Sequence, residues 1–589
     1  MPSSSVEEPR RDDGSGEGTR VKIYKSPKGL QEEKAKTTSN LPYLLLLLLL
    51  LLHPSTLPLL HFKLAAIGLS VNLARERPSF QALPRKAAVP LRVSSSMATE
   101  VMEEKGQAFD SRKAEALVRD LRSRFEDGRT RSYEWRVFQL KAIARMVKER
   151  EKDILGALMT DLSKPELEAF VTEISLTKSA CKKAISELKA WMKPEKVKTS
   201  IITFPSSAEI VSEPFGVVLI ISTWNFPFLL SLDPLIGAIS AGNAVVLKPS
   251  ESAPATSSLL TKLLEEYVDG SAVRVVEGAV PETTALLEQR WDKILYTGSG
   301  RVARIVMAAA AKHLTPVILE LGGKCPAIVD SNVDLEVAAK RLMGGKWTCN
   351  NGQACIAVDH IITPKSFAPK LIEALRAGVE EFFGKNPTES QDMSRVVNRY
   401  HFARLAKLMD EDGVSEKIVF GGERDEGKLR IAPTVLLDVP GDSQIMQEEI
   451  FGPLLPIVTV DKVEDGIALV NSRPKPLAAY LFTKNDLLKQ QFVQRVSAGG
   501  MLINDTVLHL TVPGLPFGGV GESGMGSYHG KFSFDAFSHK KAVLSRGFVG
   551  EINTRYPPYT PKKQRLLKAL IGGNIIGIIL ALIGWNTKE

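Results

Sequence analysis

The sequence predicts an α/β protein with two doubly wound α/β lobes, and three observations carry that expectation. After residue 215, short β-branched runs (Val217–Ile221, Ala244–Leu247, Val273–Val276, Lys293–Tyr296 and Val317–Leu321) alternate with helical stretches and Gly/Pro turns. That is the texture of a parallel sheet covered on both faces. A second alternating region runs from Ala327 to about Lys484 and includes the strand-like Ala479–Thr483. The chain has 589 residues, roughly three to four times a typical domain, so two lobes fit better than one.

The first 40 or so residues are polar and charged, with Gly, Ser and Pro and no hydrophobic period able to build a core, which predicts disorder. Nine consecutive leucines follow, Leu44 to Leu52. They are too few to span a bilayer, and Pro54, Pro58, His61 and Lys63 interrupt the apolar stretch that continues to Leu69. From residue 60 to Met97 there are six Lys+Arg and one acid, Glu76, with Ser94, Ser95 and Ser96 just ahead of Met97. Basic, serine-bearing and acid-poor is the composition of an organelle transit peptide, so residues 1–97 read as a disordered, transit-like extension. Two alternatives stay open: an upstream extension with translation starting at Met97, and a signal anchor.

From Asp110 the pattern turns helical. Ala114, Leu117, Val118, Leu121 and Phe125 recur at three- and four-residue steps behind a cap at Asp110 or Ser111, and charged amphipathic helices continue to about Pro194. At the far end Lys562, Lys563, Arg565 and Lys568 precede Ala569–Trp585, 17 residues without a charge. That is the lower edge of a spanning length, with an interfacial Trp at one boundary and cations at the other. The segment 562–589 is therefore either a C-terminal membrane anchor or an apolar helix docked on the body or on a partner subunit.

With 44% hydrophobic and 24% charged residues, the composition excludes a wholly disordered chain and a polytopic membrane protein. The formal net charge is +9, but residues 1–98 hold 14 Lys+Arg against 8 Asp+Glu and residues 555–589 hold six against one. The body between them is then about −2, so no basic groove for nucleic acid is expected. Cys181, Cys325, Cys349 and Cys355 lie at irregular spacing without a C-x-x-C pair, which fits neither a disulfide framework nor a zinc site. Reduced thiols, one of them a candidate nucleophile, are the expectation, and no metal is called for.

Open α/β sheets bind ligands at the carboxyl ends of strands, and five such turns carry chemistry. In Thr223-Trp224-Asn225-Phe226-Pro227 the amide of Asn225 is either a turn former or a preset donor for a developing oxyanion. In Lys248-Pro249-Ser250-Glu251 a Lys and a Glu emerge together, suited to ribose hydroxyls or forming only an exposed ion pair. Gly298-Ser299-Gly300-Arg301-Val302-Ala303 matches G-x-G-x-x-A between a strand and a helix, a site for a dinucleotide pyrophosphate. That match makes Glu320, about 20 residues on, a candidate ribose ligand. Its apolar neighbours in Leu319-Glu320-Leu321-Gly322-Gly323-Lys324 equally suit a general base of raised pKa. Cys355 follows the turn formers Asn350-Asn351-Gly352-Gln353-Ala354, where backbone amides can polarise a thiol, with Cys349 as its rival. Glu448-Glu449-Ile450-Phe451-Gly452-Pro453 pairs acids with an aromatic, and also reads as a helix end.

Taken in order over roughly residues 108 to 550, these segments resemble the aldehyde dehydrogenase superfamily. The likeness is to family 3, the fatty and medium-chain aldehyde dehydrogenases, through Asn225-Phe226-Pro227-Phe228-Leu229-Leu230-Ser231-Leu232-Asp233-Pro234, Ala241–Glu251 and Pro516–Gly526. The two ends look like those of plant members. The resemblance implies a Rossmann-like NAD-binding domain over 108–320, a catalytic domain over 321–530 and a small bridging and oligomerisation β segment over 531–555, near Phe532–Val543, that assembles a homodimer. It makes Cys355 the nucleophile and Glu320 the base, and gives the oxyanion to Asn225 and the Cys355 backbone amide. Lys248 and Glu251 are implied at the adenosine ribose, the Gly298–Ala303 turn with Gly298, Ser299 and Val302 at the phosphates, Glu449 and Phe451 at the nicotinamide ribose and ring, and Thr223, Trp224 and Ser250 as further cofactor contacts. NAD is the implied cofactor because Glu251 repels a 2′-phosphate, with NADP accepted as in many family 3 members.

Gly300 stands where the family usually has Thr, Ala303 where it has Gly, and Val358 and His360 where Pro and Tyr follow the nucleophile. These departures bear on cofactor affinity and on the substrate tunnel entrance. The implied reaction is oxidation of medium- or long-chain, lipid-derived aldehydes to carboxylic acids through a cysteine thiohemiacetal and thioester, a detoxification. The implied residence is a plastid, or the endoplasmic reticulum or another endomembrane if the C-terminal segment anchors. Two rivals are an acylating enzyme that passes the thioester to coenzyme A, and a silent nucleotide-binding scaffold on a membrane.

Overall fold

The computed structural model describes residues 109–583 except 201, 202, 204, 550 and 552. The expectations placed on residues 1–97 and on the last residues of the apolar tail lie outside the described residues. The first helix, Ser111–Glu126, starts where the pattern puts it. The Asp110 carboxylate accepts the Lys113 N–H at 3.0 Å, and Ala114, Val118, Leu121 and Phe125 are buried along one face.

The first open sheet contains β3 (Val217–Ile221), β4 (Ala244–Lys248), β5 (Val273–Val275), β6 (Lys293–Gly298), β7 (Val317–Leu321) and β17 (Gly524–Met525), in the order β17-β7-β6-β3-β4-β5. β3 to β7 are parallel and β17 runs antiparallel to β7. β3 and β4 are buried along their whole length, so they read as continuous rather than alternating apolar runs. From β3 the chain builds outward to β4 and β5, then crosses back to add β6 and β7 on the other side. The strand order therefore reverses between β3 and β6, the topological switch point at which such sheets bind ligands.

The second sheet contains β8 (Pro326–Val329), β9 (His360–Pro364), β10 (Ile418–Phe420), β13 (Thr434–Leu437), β14 (Leu454–Val460), β15 (Ala478–Phe482) and β16 (Gly500–Ile503), in the order β10-β13-β14-β9-β8-β15-β16. It is parallel except for β10, and its order reverses at β8 in the same way. The expectation of two doubly wound lobes is met. A hairpin of β11 (Arg424–Asp425) and β12 (Arg430–Ile431) stands beside it. The third sheet is antiparallel, β1 (Glu195–Val197), β2 (Ser207–Pro214) and β18 (Ser538–Ser545), with eight register pairs between β2 and β18.

Two helical segments depart from a regular α-helix. The helical stretch Glu166–Ala169 passes into a π-helical turn, Phe170–Ser175, before Leu176–Trp191. The hydroxyls of Thr172, Ser175 and Thr177 donate to carbonyls four residues back, at 2.7 Å each, competing with the regular ladder. At the other end, the single helix expected over 562–589 is two helices, Pro561–Ile571 and Ile575–Ile583. Gly573 adopts φ +63°, and the Asn574 carbonyl oxygen of the side chain accepts the Gly577 N–H at 2.8 Å, so one helix stops and the next is capped. Among the described residues no helix is long and apolar enough to cross a membrane.

Candidate active site

The strand ends at the switch point bring one group of predicted residues together. After β3, the Ser222 hydroxyl bonds the Ser231 hydroxyl at 2.7 Å, which fixes the turn carrying Thr223, Trp224 and Asn225 to the next helix. Lys248 closes β4. It is buried, and its Nζ donates to the half-exposed Glu251 at 2.8 Å. Partial burial works to raise the Glu251 pKa, but the Lys248 bond holds it below the ordinary value. The Ser250 hydroxyl accepts the Ser252 N–H at 3.3 Å in the same turn. Gly298 ends β6 with φ +156°, and the Ser299 hydroxyl accepts the Val302 N–H at the start of the 12-residue helix Gly300–Ala311. A helix N-terminus, an ammonium and a carboxylate at adjacent strand ends fit the phosphates and ribose hydroxyls of a dinucleotide.

Glu320 lies one strand further on, opposite Thr297 of β6 and Gly524 of β17. A Cβ at Gly524 (φ +136°) would stand 2.1 Å from the Leu319 carbonyl oxygen, so β17 covers this part of β7 only with glycine. Glu320 is 1% exposed, and neither carboxylate oxygen has a partner at full hydrogen-bond geometry. Burial raises its pKa to about 7, against a smaller opposing effect of the Cys355 thiol that faces it. The Rossmann spacing thus points to a buried acid whose neighbour is a thiol.

The loop that delivers this thiol is strained. Asn350, Asn351 and Gly352 have φ of +50°, +49° and +78° in succession, a region Asn tolerates and Gly prefers. A Cβ at Gly352 would meet the Gly452 carbonyl oxygen at 2.2 Å. Side-chain amides hold the strained turn. Asn350 Nδ2 donates to the Asn225 carbonyl at 2.9 Å, and Gln353 Nε2 donates to the carbonyls of Asn350 (3.1 Å) and Arg395 (2.9 Å). Asn225, 1% exposed, donates one Nδ2 hydrogen to the Gln353 carbonyl at 3.0 Å, which leaves its second hydrogen for a ligand oxygen.

Burial pushes the Cys355 thiol well above its ordinary pKa, and the Glu320 and Glu449 carboxylates add to this. It therefore keeps its proton until a base takes it, and Glu320 is in place to do so. Burial, then the Glu168 charge, pushes the rival Cys349 up to about 12, and that carboxylate is already taken by the Asn350 N–H.

Glu449 and Phe451 meet the site from the second sheet's side. A Cβ on Gly322 would stand 2.0 Å from a Glu449 carboxylate oxygen, so only glycine admits that carboxylate. Burial raises Glu449 to about 8. Phe451 packs edge-on to Trp224, centroids 5.4 Å apart. Lys324 fastens this loop by donating to the carbonyls of Ile445 (2.7 Å) and Glu448 (3.0 Å) and pairing with Asp359 at 2.5 Å, while Asp359 accepts the Ile450 N–H at 2.9 Å.

A cavity of about 290 Å³ reaches Cys355 between Phe226, Leu229, Leu230, Ile356, Leu510 and Phe517. Its apolar walls suit an aliphatic chain. Val358 and His360 are buried and do not line it, so the departures at these positions lie behind the tunnel rather than at its entrance. Sequence reasoning missed Lys164, Glu168 and Glu173, which support this site from the connection before Glu166, the helical stretch Glu166–Ala169 and the π-helical turn, respectively. They looked like ordinary charges on an amphipathic helix, and nothing in their spacing set them apart.

The model of the aldehyde dehydrogenase family matches residues 91–543. The chain is 65% identical over 486 residues to aldehyde dehydrogenase family 3 member I1, chloroplastic, of Arabidopsis thaliana, covering 82% of this chain and 88% of that one. It is 63% identical over 478 residues to family 3 member H1 of the same plant, covering 81% and 99%. Among solved structures it is similar to the substrate-bound state of Staphylococcus aureus AldH, with a TM-score of 0.75 and 43% identity over 78% of this chain and 99% of that one.

Proposed function

The chain belongs to the aldehyde dehydrogenase family, and we propose that it oxidises medium- and long-chain aliphatic aldehydes to carboxylic acids with Cys355 as nucleophile, Glu320 as base and Asn225 as oxyanion donor. NAD(P)-dependent oxidation of aldehydes is the reaction of the family to which it belongs. The observation that carries the residue roles is the Cys355 thiol facing the unpartnered Glu320 carboxylate beside an apolar cavity of about 290 Å³.

In this reading Glu320 accepts the Cys355 thiol proton as sulfur adds to the aldehyde carbon. The oxygen, now anionic, takes the second Asn225 N–H and the Cys355 backbone N–H, donors of a kind typically worth about 3–4 kcal/mol. NAD(P), when bound, supplies the hydride acceptor that turns the thiohemiacetal into a thioester. Once Glu320 has released that proton to solvent, it accepts a proton from the water that attacks the thioester; the C–S bond then breaks, the acid leaves, and Glu320 returns the proton to the Cys355 sulfur. The apolar tunnel supports an alkyl rather than a charged substrate. The experiment is NADH formation by the full chain on aliphatic aldehydes of increasing length: kcat/KM is expected to rise with chain length, and a preference for short or charged aldehydes would overturn the substrate assignment.

Lys248, Ser250, Glu251, Gly298, Ser299 and Val302 hold the adenosine and phosphates, and Thr223, Trp224, Glu449 and Phe451 the nicotinamide side, in a cofactor lobe over 108–320 and a catalytic lobe over 321–530. The Glu251 carboxylate disfavours a 2′-phosphate, so NAD is preferred over NADP. Glu251→Gln is expected to raise the NADP-to-NAD ratio of kcat/KM about tenfold, the loss of about 1.4 kcal/mol of repulsion; an unchanged ratio would remove Glu251 from this role.

The edge of β18, paired on one side only, supports a homodimer through segment 531–555. The acid-poor leader, together with the chloroplastic relative, supports a plastid location. The C-terminal pair of helices exposes Ile571, Ile575, Ile576 and Ile579 next to Lys562, Lys563 and Lys568, a composition that lies on an anionic bilayer surface rather than across it. The full chain is expected to co-sediment with vesicles containing phosphatidylserine, and a chain ending at residue 560 to stay in solution. Equal behaviour of the two would contradict surface binding through this tail.

A further inference from the structure

We propose that Lys164 and Glu173, a buried ion pair between the connection ahead of Glu166 and the π-helical turn, are positioning residues that preset the oxyanion donor Asn225. Both side chains are fully buried and pair at 2.6 Å. Burying two charges is costly, and such a pair persists when its remaining donors and acceptors are satisfied. Here the other polar contacts all fall on the loop that carries Asn225. Lys164 Nζ donates to the Asn225 carbonyl at 3.2 Å and stands 4.1 Å from the centre of the Phe226 ring. The second Glu173 oxygen accepts the N–H groups of Phe228 (2.8 Å) and Leu229 (3.3 Å). The pair thus grips both ends of the stretch 225–229, where β3 gives way to the next helix.

The π-helical turn explains how a helix reaches that loop. One extra residue in the turn rotates the rest of the helix by about 100° relative to an uninterrupted α-helix, and Glu173 sits inside it. Five residues earlier, Glu168 accepts the Asn350 N–H at 2.6 Å, and Asn350 in turn donates to the Asn225 carbonyl. The same segment therefore holds the oxyanion loop directly through Glu173 and Lys164 and the nucleophile loop through Glu168. With its carbonyl held by two donors and one amide hydrogen tied to Gln353, Asn225 can offer its remaining hydrogen in one direction only. Fixed donors of this kind act on the transition state because they need no reorganisation when charge develops.

The inference rests on the reading of Asn225 as the oxyanion donor, and the test separates the two. The full chain is compared with Glu173→Gln, with the double variant Lys164→Met/Glu173→Met, with Asn225→Ala, and with Glu173→Gln in the Asn225→Ala background. The double variant removes both charges together and is expected to fold even where Glu173→Gln alone, leaving Lys164 unpaired, folds poorly, with a melting temperature lowered because the Phe228 and Leu229 N–H groups lose their acceptor. Its kcat is expected to fall about 10- to 100-fold, part of the loss for deleting an oxyanion donor, with KM for aldehyde and NAD affinity within about twofold of wild type. In the Asn225→Ala background the Glu173 change is expected to cost no further kcat, because the group it positions is gone. A double variant with wild-type kcat, or losses that multiply in the Asn225→Ala background, would overturn the positioning role. Wild-type kcat in Asn225→Ala alone would instead overturn the oxyanion assignment, and the inference with it.

Discussion

Cys355→Ala is expected to lose aldehyde-dependent NADH formation by at least about 10⁴-fold, the scale of removing a covalent nucleophile, while melting temperature and NAD affinity stay as in wild type. Cys355 is half-buried and lines the apolar cavity, and its loop is held by Asn350 and Gln353 rather than by its own side chain. Truncating the thiol therefore removes chemistry without removing a structural contact. Cys349 lines the same cavity, but the carboxylate near it, Glu168, is occupied by the Asn350 N–H. Cys349→Ala is expected to change kcat by no more than about threefold. Steady-state kinetics with a cofactor titration on each variant checks both expectations, and surviving activity in Cys355→Ala would move the nucleophile elsewhere.

Glu320→Gln is expected to lower kcat by about 10²–10⁴, the usual contribution of a general base, with KM for aldehyde little changed. The pH profile carries the sharper signature. With a pKa raised to about 7, Glu320 is charged and able to accept a proton only above that value, so wild-type kcat should climb through about pH 7 and the variant should lose that limb. Stability should move the opposite way. Because the folded carboxyl holds its proton more tightly than the unfolded one, wild type loses stability as pH rises from about 4.5 to about 7 and regains none above it. Glu320→Gln escapes this cost. It is expected to be more stable than wild type by about 1–3 kcal/mol at pH 8, a difference that shrinks to nothing near pH 4. Thermal melts across that range check the sign. A variant less stable at pH 8 would mean that Glu320 is held by partners rather than left buried without them.

Much of this was legible because the sequence repeats local signals that the fold preserves. The five β-branched runs became β3 to β7 nearly residue for residue, since strands buried on both faces need continuous apolar side chains whatever surrounds them. The turns after them were legible for a related reason: unusual residues at strand ends have no packing role to explain them. Harder were contacts that join distant segments through ordinary-looking charges. Lys164 finds the Asn225 carbonyl 61 positions away and Glu173 the Phe228 amide 55 away, and neither residue differs in sequence from a solvated helix face. The return of β17 to β7 depends on the absence of a Cβ at Gly524, which a glycine-rich loop does not advertise. The division of the apolar tail escaped notice because hydropathy averages over Gly572-Gly573-Asn574, whereas the helix responds to the positive φ of one residue.

Peptide mapping by mass spectrometry, after the Glu320→Gln protein is mixed briefly with a medium-chain aldehyde and NAD and quenched in acid, reads the covalent intermediate itself. Loss of the base slows formation of the thioester, where the thiol can still lose its proton to solvent, and slows its hydrolysis more, where water is far less acidic than a thiol, so the acyl mass is expected on the peptide containing Cys355 and absent from those containing Cys181 and Cys325. If Cys349 shares that peptide, fragmentation assigns the sulfur. Acyl mass on Cys349, or none on any cysteine while NADH still forms, would contradict a Cys355 thioester hydrolysed by Glu320.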